Sequence, residues 1–228
     1  MATIAENVER VRARIEAAAA RSGRRAESIR LVAVAKTVEP ERIRAALAAG
    51  VQEMGENYLQ EALPKFAELR GHSFIRHFIG HLQRNKAGRA AETFDVIQSL
   101  DSEALARAVG RRAQAAGRTV EALIEVNVAG EASKSGAPPE RALALAESVA
   151  PIPGIRLAGF MGIGPLGGDE GETRRAFRTL ARLFEQLPAS HRQVLSLGMS
   201  GDFEIAIEEG STMVRIGTGI FGLRSTHP

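Results

Sequence analysis

The stretch Leu31-Val32-Ala33-Val34-Ala35-Lys36-Thr37 carries five apolar, partly β-branched residues straight into a lysine. Such a run reads as a short strand buried on both faces with a cation at its exit. Side chains alternate along a strand, so Lys36 shares a face with Val32 and Val34. If that face lines a closed core, the ammonium stands at its C-terminal mouth. Two readings follow from the stretch alone: a lysine that snorkels its amine to solvent at a strand end, and a reactive amine held in a pocket.

On the N-terminal side, Thr3 with Glu6 forms a capping-box pattern, and Ile4, Val8, Val11 and Ile15 recur at helical spacing. A leading amphipathic helix is expected over about 3–21, closed by Ser22-Gly23, with Arg10, Arg12, Arg14 and Arg21 on a solvated face. On the C-terminal side, Pro40 opens a helical pattern (Ile43, Ala46, Leu47) that ends at Gly50. Further strands are expected at 51–55, 74–80, 95–100, 121–128, 155–161, 194–197 and 212–216. Helices at 59–69, 102–117, about 138–150, 172–187 and 203–209, with another before Asp95, separate them. Eight strands alternating with helices, without a linker or a break in composition, imply a parallel sheet in one domain. Eight such units point to a single (β/α)8 TIM barrel of the α/β class with an extra N-terminal helix. It would fill residues 1–228 as one domain, the barrel itself over about 30–223, and its chemistry would sit at the strand C-terminal ends. A doubly wound open sheet is the alternative.

The 228 residues are 44% hydrophobic and 25% charged, as expected for a globular chain with a sizeable core. A net charge of +3 gives no field for nucleic acid. The absence of cysteine excludes disulfides, thiolate metal sites and a cysteine nucleophile. No apolar run reaches the roughly 18 residues of a membrane span, and the first residues lack a signal-peptide core, so a cytoplasmic protein without a membrane partner is expected.

In a barrel the strand exits converge: Lys36, Asn57, His81, Asn127, Met161, Ser200 and Gly217. Loops after the seventh and eighth strands of such barrels commonly bind phosphate through backbone N–H groups. Here they read Gly198-Met199-Ser200-Gly201 and Gly217-Thr218-Gly219, where glycines admit an anion close to the backbone and Ser200 and Thr218 add hydroxyls. The competing reading is two tight turns with Ser200 capping the next helix. Arg215 shares strand parity with Gly217. An arginine inside a barrel needs a partner, either a carboxylate such as Glu125 or Glu53 or a ligand atom. Met161 is a core residue that, at a strand exit, can also touch a flat ring.

Other patterns carry less. Gly162-x-Gly164-x-x-Gly167 and Gly217-x-Gly219-x-x-Gly222 match the dinucleotide pattern literally, but the first contains Pro165 and lacks a following acid, and the second has no room for a further βα unit. His77 and His81 have no third ligand in view, so no metal site is expected. Ser133-Lys134-Ser135-Gly136 reads as a solvated loop or a lid over the mouth.

Taken together, Lys36 after Val-Ala-Val-Ala, Gly55-Glu56-Asn57-Tyr58-x-Gln60-Glu61, His77-Phe78-Ile79-Gly80-x-Leu82-Gln83-x-Asn85-Lys86, Ser133-Lys134-x-Gly136, Leu197-Gly198-Met199-Ser200-x-Asp202 and Val214-Arg215-Ile216-Gly217-Thr218 resemble the pyridoxal-phosphate homeostasis proteins, also called proline-synthase co-transcribed homologues. The match runs in order from Leu31 to Gly222. It implies a fold type III barrel, like the N-terminal domain of alanine racemase, holding pyridoxal 5'-phosphate (PLP) as a Schiff base on Lys36. Ser200, Gly217 and Thr218 would hold the phosphate, Arg215 would face the pyridine nitrogen, and Asn57 and Met161 would line the ring pocket. The family is linked to vitamin B6 homeostasis rather than to a settled catalytic activity. PLP-dependent apoenzymes are the transient partners expected, and a monomer the expected state.

The residues suit that picture. A Schiff-base lysine must be neutral to attack an aldehyde, and lowering its pKa from about 10.4 to about 7.5 corresponds to about 4 kcal/mol. Burial and a nearby guanidinium act in that direction. An arginine opposite the pyridine nitrogen weakens the cofactor as an electron sink. An amino-acid racemase is the enzyme alternative; it needs a base on each face of the α-carbon, and the sole tyrosine, Tyr58, is expected beside the mouth or on the next helix. A Schiff-base-lysine aldolase is the other.

Overall fold

A computed structural model describes residues 2–131 and 135–222. It is a closed barrel in which eight parallel strands pair in sequence order, β1 to β8, and β8 returns to β1. The strands are β1 (Arg30–Val34), β2 (Glu53–Glu56), β3 (Ile75–Phe78), β4 (Val96–Leu100), β5 (Val120–Val126), β6 (Ile155–Gly162), β7 (Val194–Ser196) and β8 (Met213–Ile216). Ahead of them lies α1 (Ile4–Arg21), and around them run α2 (Pro40–Ala48), α3 (Leu59–Glu68), α4 (Ala87–Thr93), α5 (Glu103–Ala115), α6 (Ala142–Val149), α7 (Glu170–Glu185), α8 (Phe203–Glu208) and α9 (Thr218–Phe221). The barrel expected from the alternation of elements is therefore present, and the open sheet is not. Among the described residues, no helix is long and apolar enough to cross a membrane.

Local chemistry accounts for the element ends. The Thr3 hydroxyl accepts from the Glu6 N–H while the Glu6 carboxylate accepts from the Thr3 N–H, which completes the expected capping box. Asp169 and Glu172 repeat the device at α7, two residues before the start expected from the sequence. Helix α1 buries Val8, Val11, Ile15, Ala18 and Ala19 against α2, α8 and α9. Its docking is fixed by Asn7, which donates to the Ile220 carbonyl at 2.9 Å, and by Arg14, which pairs with Glu204 at 2.7 Å while lying over the Phe203 ring. Two apolar shells fill the space between sheet and helices, one of them built on the edge-to-face stack of Phe66, Phe94 and Phe78.

The inner face is mixed. Val32, Leu123, Ala158, Met161, Val194 and Met213 form its apolar layer. Glu53, His77, Gln98, Ser196 and Arg215 run through it as a polar column, described below. The wall is irregular at β6: Gly159 sits at φ +149°, and a Cβ there would lie 2.0 Å from the Val194 carbonyl oxygen. Only glycine permits that register shift against β5. The β7–β8 seam has one register pair, Ser196 with Met213, and is reinforced by the buried Ser211 hydroxyl, which lies within bonding distance of the Leu195, Leu197 and Met213 carbonyls.

Candidate functional site at the barrel mouth

Strand β1 ends at Val34, and the backbone on both sides of Lys36 is then held by α3. The Ala35 carbonyl accepts from Lys65 Nζ at 2.7 Å and from the Val38 N–H at 3.0 Å. The Thr37 N–H donates to Glu61 Oε2 at 3.0 Å. Thr37 itself adopts φ +60°, a left-handed conformation that costs a β-branched residue about 1–3 kcal/mol and persists where the surroundings impose it. Lys65 is anchored in turn on Glu56 Oε1 at 2.9 Å. Glu56 is wholly buried, and burial pushes its carboxyl above the ordinary range against the pull of Lys65. The aim of Lys36 is therefore set by a buried ion pair behind it.

Lys36 lines a cavity of about 440 Å³ together with Arg42, Ser200, Arg215, Gly217 and Thr218. Strand parity puts Val34 and Lys36 on the same side, and Arg215 and Gly217 stand beside them on β8, the strand that pairs with β1. Ser200 does not cap α8. Its Oγ accepts the N–H groups of Gly217 at 3.3 Å and Gly219 at 3.2 Å, so donors from the last loop already converge on one point of this wall. Asp202, at the N-cap of α8, turns its Oδ1 back to the preceding loop, where it accepts the Met199 N–H at 2.6 Å. Gly198 is required where it stands: it has φ +93°, and a Cβ would meet Ala206 and Phe203 at 2.7 Å.

Arg215 is 4% exposed, and its partners differ from the carboxylates expected of it. Nη1 donates to the Ser196 carbonyl at 2.9 Å and to Ser196 Oγ at 2.7 Å, and Nη2 donates to the Gly162 carbonyl at 2.9 Å. Glu53 lies elsewhere, paired with Arg30 at 2.9 Å, while Glu125 and Asp202 act on Arg215 through their fields alone. Burial pushes the guanidinium down to about 10, which leaves it cationic at neutral pH. Three of its five N–H donors are spent on Ser196 and Gly162, and two remain for a ligand.

Below Arg215 the polar column continues to the floor of the barrel. Ser196 Oγ donates to Gln98 Oε1 at 2.7 Å, and Gln98 Nε2 reaches His77 Nδ1 at 2.9 Å. An amide nitrogen can only donate, so Nδ1 accepts and the neutral ring carries its proton on Nε2, 2.9 Å from Glu53 Oε2. Burial would raise the Glu53 carboxyl, but His77 and Arg30 outweigh it and hold Glu53 below the usual range. His77 is thus a structural link, and among the described residues no group of His, Asp or Glu is arranged to hold a metal.

The remaining sequence candidates fall elsewhere. Asn57 leaves β2, the strand next to β1, and lines a smaller cavity with His81 and Asn127. Met161 is fully buried in the apolar inner layer and does not line the Lys36 cavity. Tyr58 is 57% exposed and lines neither. Ser133 and Lys134 lie outside the described residues, while Ser135 Oγ stands 3.1 Å from His81 Nδ1. One contributor escaped the sequence reading, and a second, Asp202, stood there in a motif without a role. Arg42, in the first turn of α2, lines the cavity and donates to the Phe221 carbonyl, and Asp202 holds the Met199 loop. The Pro40 start of α2, two residues before Arg42, was the available signal for the first.

The chain matches the alanine racemase N-terminal domain family over residues 2–225. A protein named pyridoxal phosphate homeostasis protein from Pseudomonas aeruginosa is 44% identical over 224 residues, covering 98% of this chain and 97% of that one. The chain belongs to the pyridoxal phosphate homeostasis family. The family member from Escherichia coli K12 is 43% identical over 232 residues, with 98% of each chain covered. Among solved structures, PipY of Synechococcus elongatus with PLP bound superposes with a TM-score of 0.82 at 35% identity, over 96% of this chain and all of that one. Alanine racemase from Clostridium difficile is similar at a TM-score of 0.76 and 12% identity, a likeness of fold that spans 57% of the racemase.

Proposed function

We propose that this chain is a PLP-binding protein of vitamin B6 homeostasis, holding the cofactor as a Schiff base on the Lys36 amine and releasing it to acceptor proteins. The observation that carries the reading is the shared cavity: Lys36, Ser200 with the Gly217 N–H converging on its hydroxyl, Thr218 and the buried Arg215 all line about 440 Å³. The relatives named for PLP homeostasis and the PLP-bound PipY structure support it.

The residues fit the group. The Gly217 and Gly219 N–H groups, now shared on Ser200 Oγ, are positioned to turn to a phosphate oxygen, and hydrogen bonds to a charged group contribute about 1.5–3 kcal/mol each. Gly201 leaves that side open, since a Cβ there would meet nothing within 4 Å. Arg42 adds a second cation to the wall. Arg215 has no acceptor atom, so it donates to a pyridine nitrogen and cannot supply it with an acid proton at neutral pH. PLP when bound supplies an aldehyde carbon that a primary amine captures reversibly. The rest of the site binds and orients.

The same inventory disfavours a racemase or an aldolase. Among the described residues lining the cavity there is no His, Tyr, Asp or Glu, so Lys36 has no opposing base. Tether and release, rather than turnover, is the function read here. Purified protein given PLP should show a Schiff-base absorption band that sodium borohydride fixes onto the peptide carrying Lys36. Lys36→Ala should lack the band. A wild-type protein that gains no band, or D-isomer formation from L-amino acids at ordinary enzymatic rates, refutes the proposal.

A further inference from the structure

Helix α1 stands ahead of the eight βα units, yet it packs against the helices that follow both glycine loops of the cavity. Helix α8 follows the Met199-Ser200 loop, and α9 follows Gly217. Toward α8, Arg14 pairs with Glu204 at 2.7 Å and lies over the Phe203 ring. Toward α9, Asn7 Nδ2 donates to the Ile220 carbonyl at 2.9 Å across 213 positions of sequence, beside the buried Val8 and Val11.

Helix α9 depends on such contacts. It has four residues, and a helix of one turn does not hold its shape alone in water. Inside it, the Ile220 and Phe221 N–H groups both reach the Gly217 carbonyl, at 3.0 and 2.9 Å. Its last two carbonyls are taken from outside, that of Ile220 by Asn7 and that of Phe221 by Arg42. What these contacts hold in place are the Gly217 and Gly219 N–H groups, which meet at Ser200 Oγ. Gly219 is where the two sides touch. A Cβ there would lie 2.8 Å from Ile216 Cγ2, 3.5 Å from Val11 Cγ2 on α1 and 3.7 Å from Ser200 Oγ, so the surface of α1 lies one residue behind the converging donors.

We infer that Asn7 is a positioning residue of the anion wall: from α1 it holds the carbonyl end of α9 and so keeps the Gly217 and Gly219 N–H groups converged for a phosphate monoester. Asn7 does not line the cavity and acts only through α9. The inference rests on the proposed function for the identity of the ligand, and it adds the element that makes the site prefer a phosphorylated aldehyde to its unphosphorylated form. Positioning and bulk stability separate in what they move. Loosening α9 weakens the hold on phosphate, while Lys36, whose backbone is held by α3, keeps its reach for an aldehyde.

The test compares wild type with Asn7→Ala, Asn7→Asp and Arg12→Ala. Asn7→Asp keeps the shape of the side chain but has no donor for the Ile220 carbonyl. Arg12→Ala removes a different tether of α1, the 2.7 Å bond to the Gly50 carbonyl beyond α2, and is the control for loosened packing. Inorganic phosphate is titrated into PLP-free protein and followed by the Gly217 and Gly219 amide shifts; PLP and pyridoxal are titrated separately and followed by Schiff-base absorbance. Asn7→Ala should weaken phosphate and PLP about fivefold, and Asn7→Asp more, while pyridoxal stays within about twofold of wild type. Arg12→Ala should keep the wild-type preference for PLP. Should Asn7→Asp fail to fold, Asn7→Ala, which loses one partly buried bond, decides. Unchanged phosphate binding in Asn7→Ala, an equal loss for PLP and pyridoxal, or a matching loss of preference in Arg12→Ala overturns the inference and leaves the Lys36 proposal standing. A wild type that binds PLP no better than pyridoxal removes the phosphate assignment itself, and the inference with it.

Discussion

Lys65→Met removes the cation behind Lys36 while keeping the stem of the side chain, and its effect can be worked from the contacts. The Ala35 carbonyl loses the 2.7 Å bond from Nζ but keeps the Val38 N–H at 3.0 Å, a loss of about 1 kcal/mol. Glu56 is more serious, because it is fully buried, its Oε1 is held by Lys65, and its Oε2 already lacks a partner. A carboxylate stranded in that position takes up a proton instead of remaining charged. From an ordinary glutamate value of about 4.3, holding it neutral costs at most about 3.7 kcal/mol at pH 7 and about 1 kcal/mol at pH 5. Burial already holds wild-type Glu56 above the ordinary value, so the true figures fall below these bounds. The sign follows: a carboxyl whose folded pKa is raised contributes stability below its unfolded pKa and loses it as pH rises toward the folded one. Lys65→Met should therefore lower the unfolding free energy by about 3 kcal/mol at pH 7 and by about 1.5 kcal/mol at pH 5. Urea unfolding at pH 5, 6 and 7 measures it, with Lys65→Met/Glu56→Gln compared against Glu56→Gln, a pair without a titrating group at position 56 whose difference should be the same at every pH. A loss in Lys65→Met that is flat across the range refutes the reasoning.

Three further outcomes are expected. Ser200→Ala removes the acceptor on which Gly217 and Gly219 converge, and by loss of one or two charge-directed bonds it should speed release of bound PLP about tenfold or more while the Schiff-base band still forms; unchanged release on gel filtration counts against the phosphate assignment. Ser211→Ala takes the hydroxyl from the β7–β8 seam and should cost about 1–3 kcal/mol, with amide exchange quickened at Leu197 and Met213 ahead of the other strands. Glu125→Gln removes a carboxyl raised to about 7, a group that costs stability as pH rises from its unfolded value toward 7, so the variant should match wild type at pH 4 and exceed it by up to about 3 kcal/mol at pH 8. A stability gain that is the same at pH 4 and pH 8 removes that assignment.

What the sequence made legible was whatever depends on local pattern. The β1 stretch, the parity of Lys36 with Val34 and of Arg215 with Gly217, and the capping box at Thr3 each follow from two to seven consecutive residues, and each is present. The exits of β3, β5 and β7 were read one or two residues too long, as at 74–80 against Ile75–Phe78, because an apolar exit residue looks like strand whether or not it is paired. Helix α9 was read as a turn, since four residues beginning Thr218-Gly219 carry no periodicity. The partners of Arg215 were out of reach for a different reason. The search for a carboxylate assumed that a buried cation must meet a charge, whereas two of its three bonds go to the Ser196 and Gly162 carbonyls, which every sequence possesses. The clamp on Lys36 likewise joins Ala35 and Thr37 to Lys65 and Glu61, pairs separated by 30 and 24 positions that meet only because β2, which leads into α3, pairs with β1.

The polar column gives those contacts a common sense. Burying Arg215 is costly, and an apolar side chain in its place would be the cheaper way to fill the barrel. Instead the chain commits Ser196, Gln98, His77 and Glu53 in succession, each with one donor matched to one acceptor, down to Arg30 at the floor. The donors run one way as far as the Gln98 amide, from Arg215 through Ser196, and the amide then passes a second run on to Glu53, so Gln98 can adopt a single orientation without leaving an unmatched pair. That fixes the Arg215 fork, as α3 fixes the backbone of Lys36 at the end of the neighbouring strand. The site sets a fixed guanidinium on the strand beside the one that delivers the Lys36 amine, an arrangement suited to holding an anionic aldehyde in one pose.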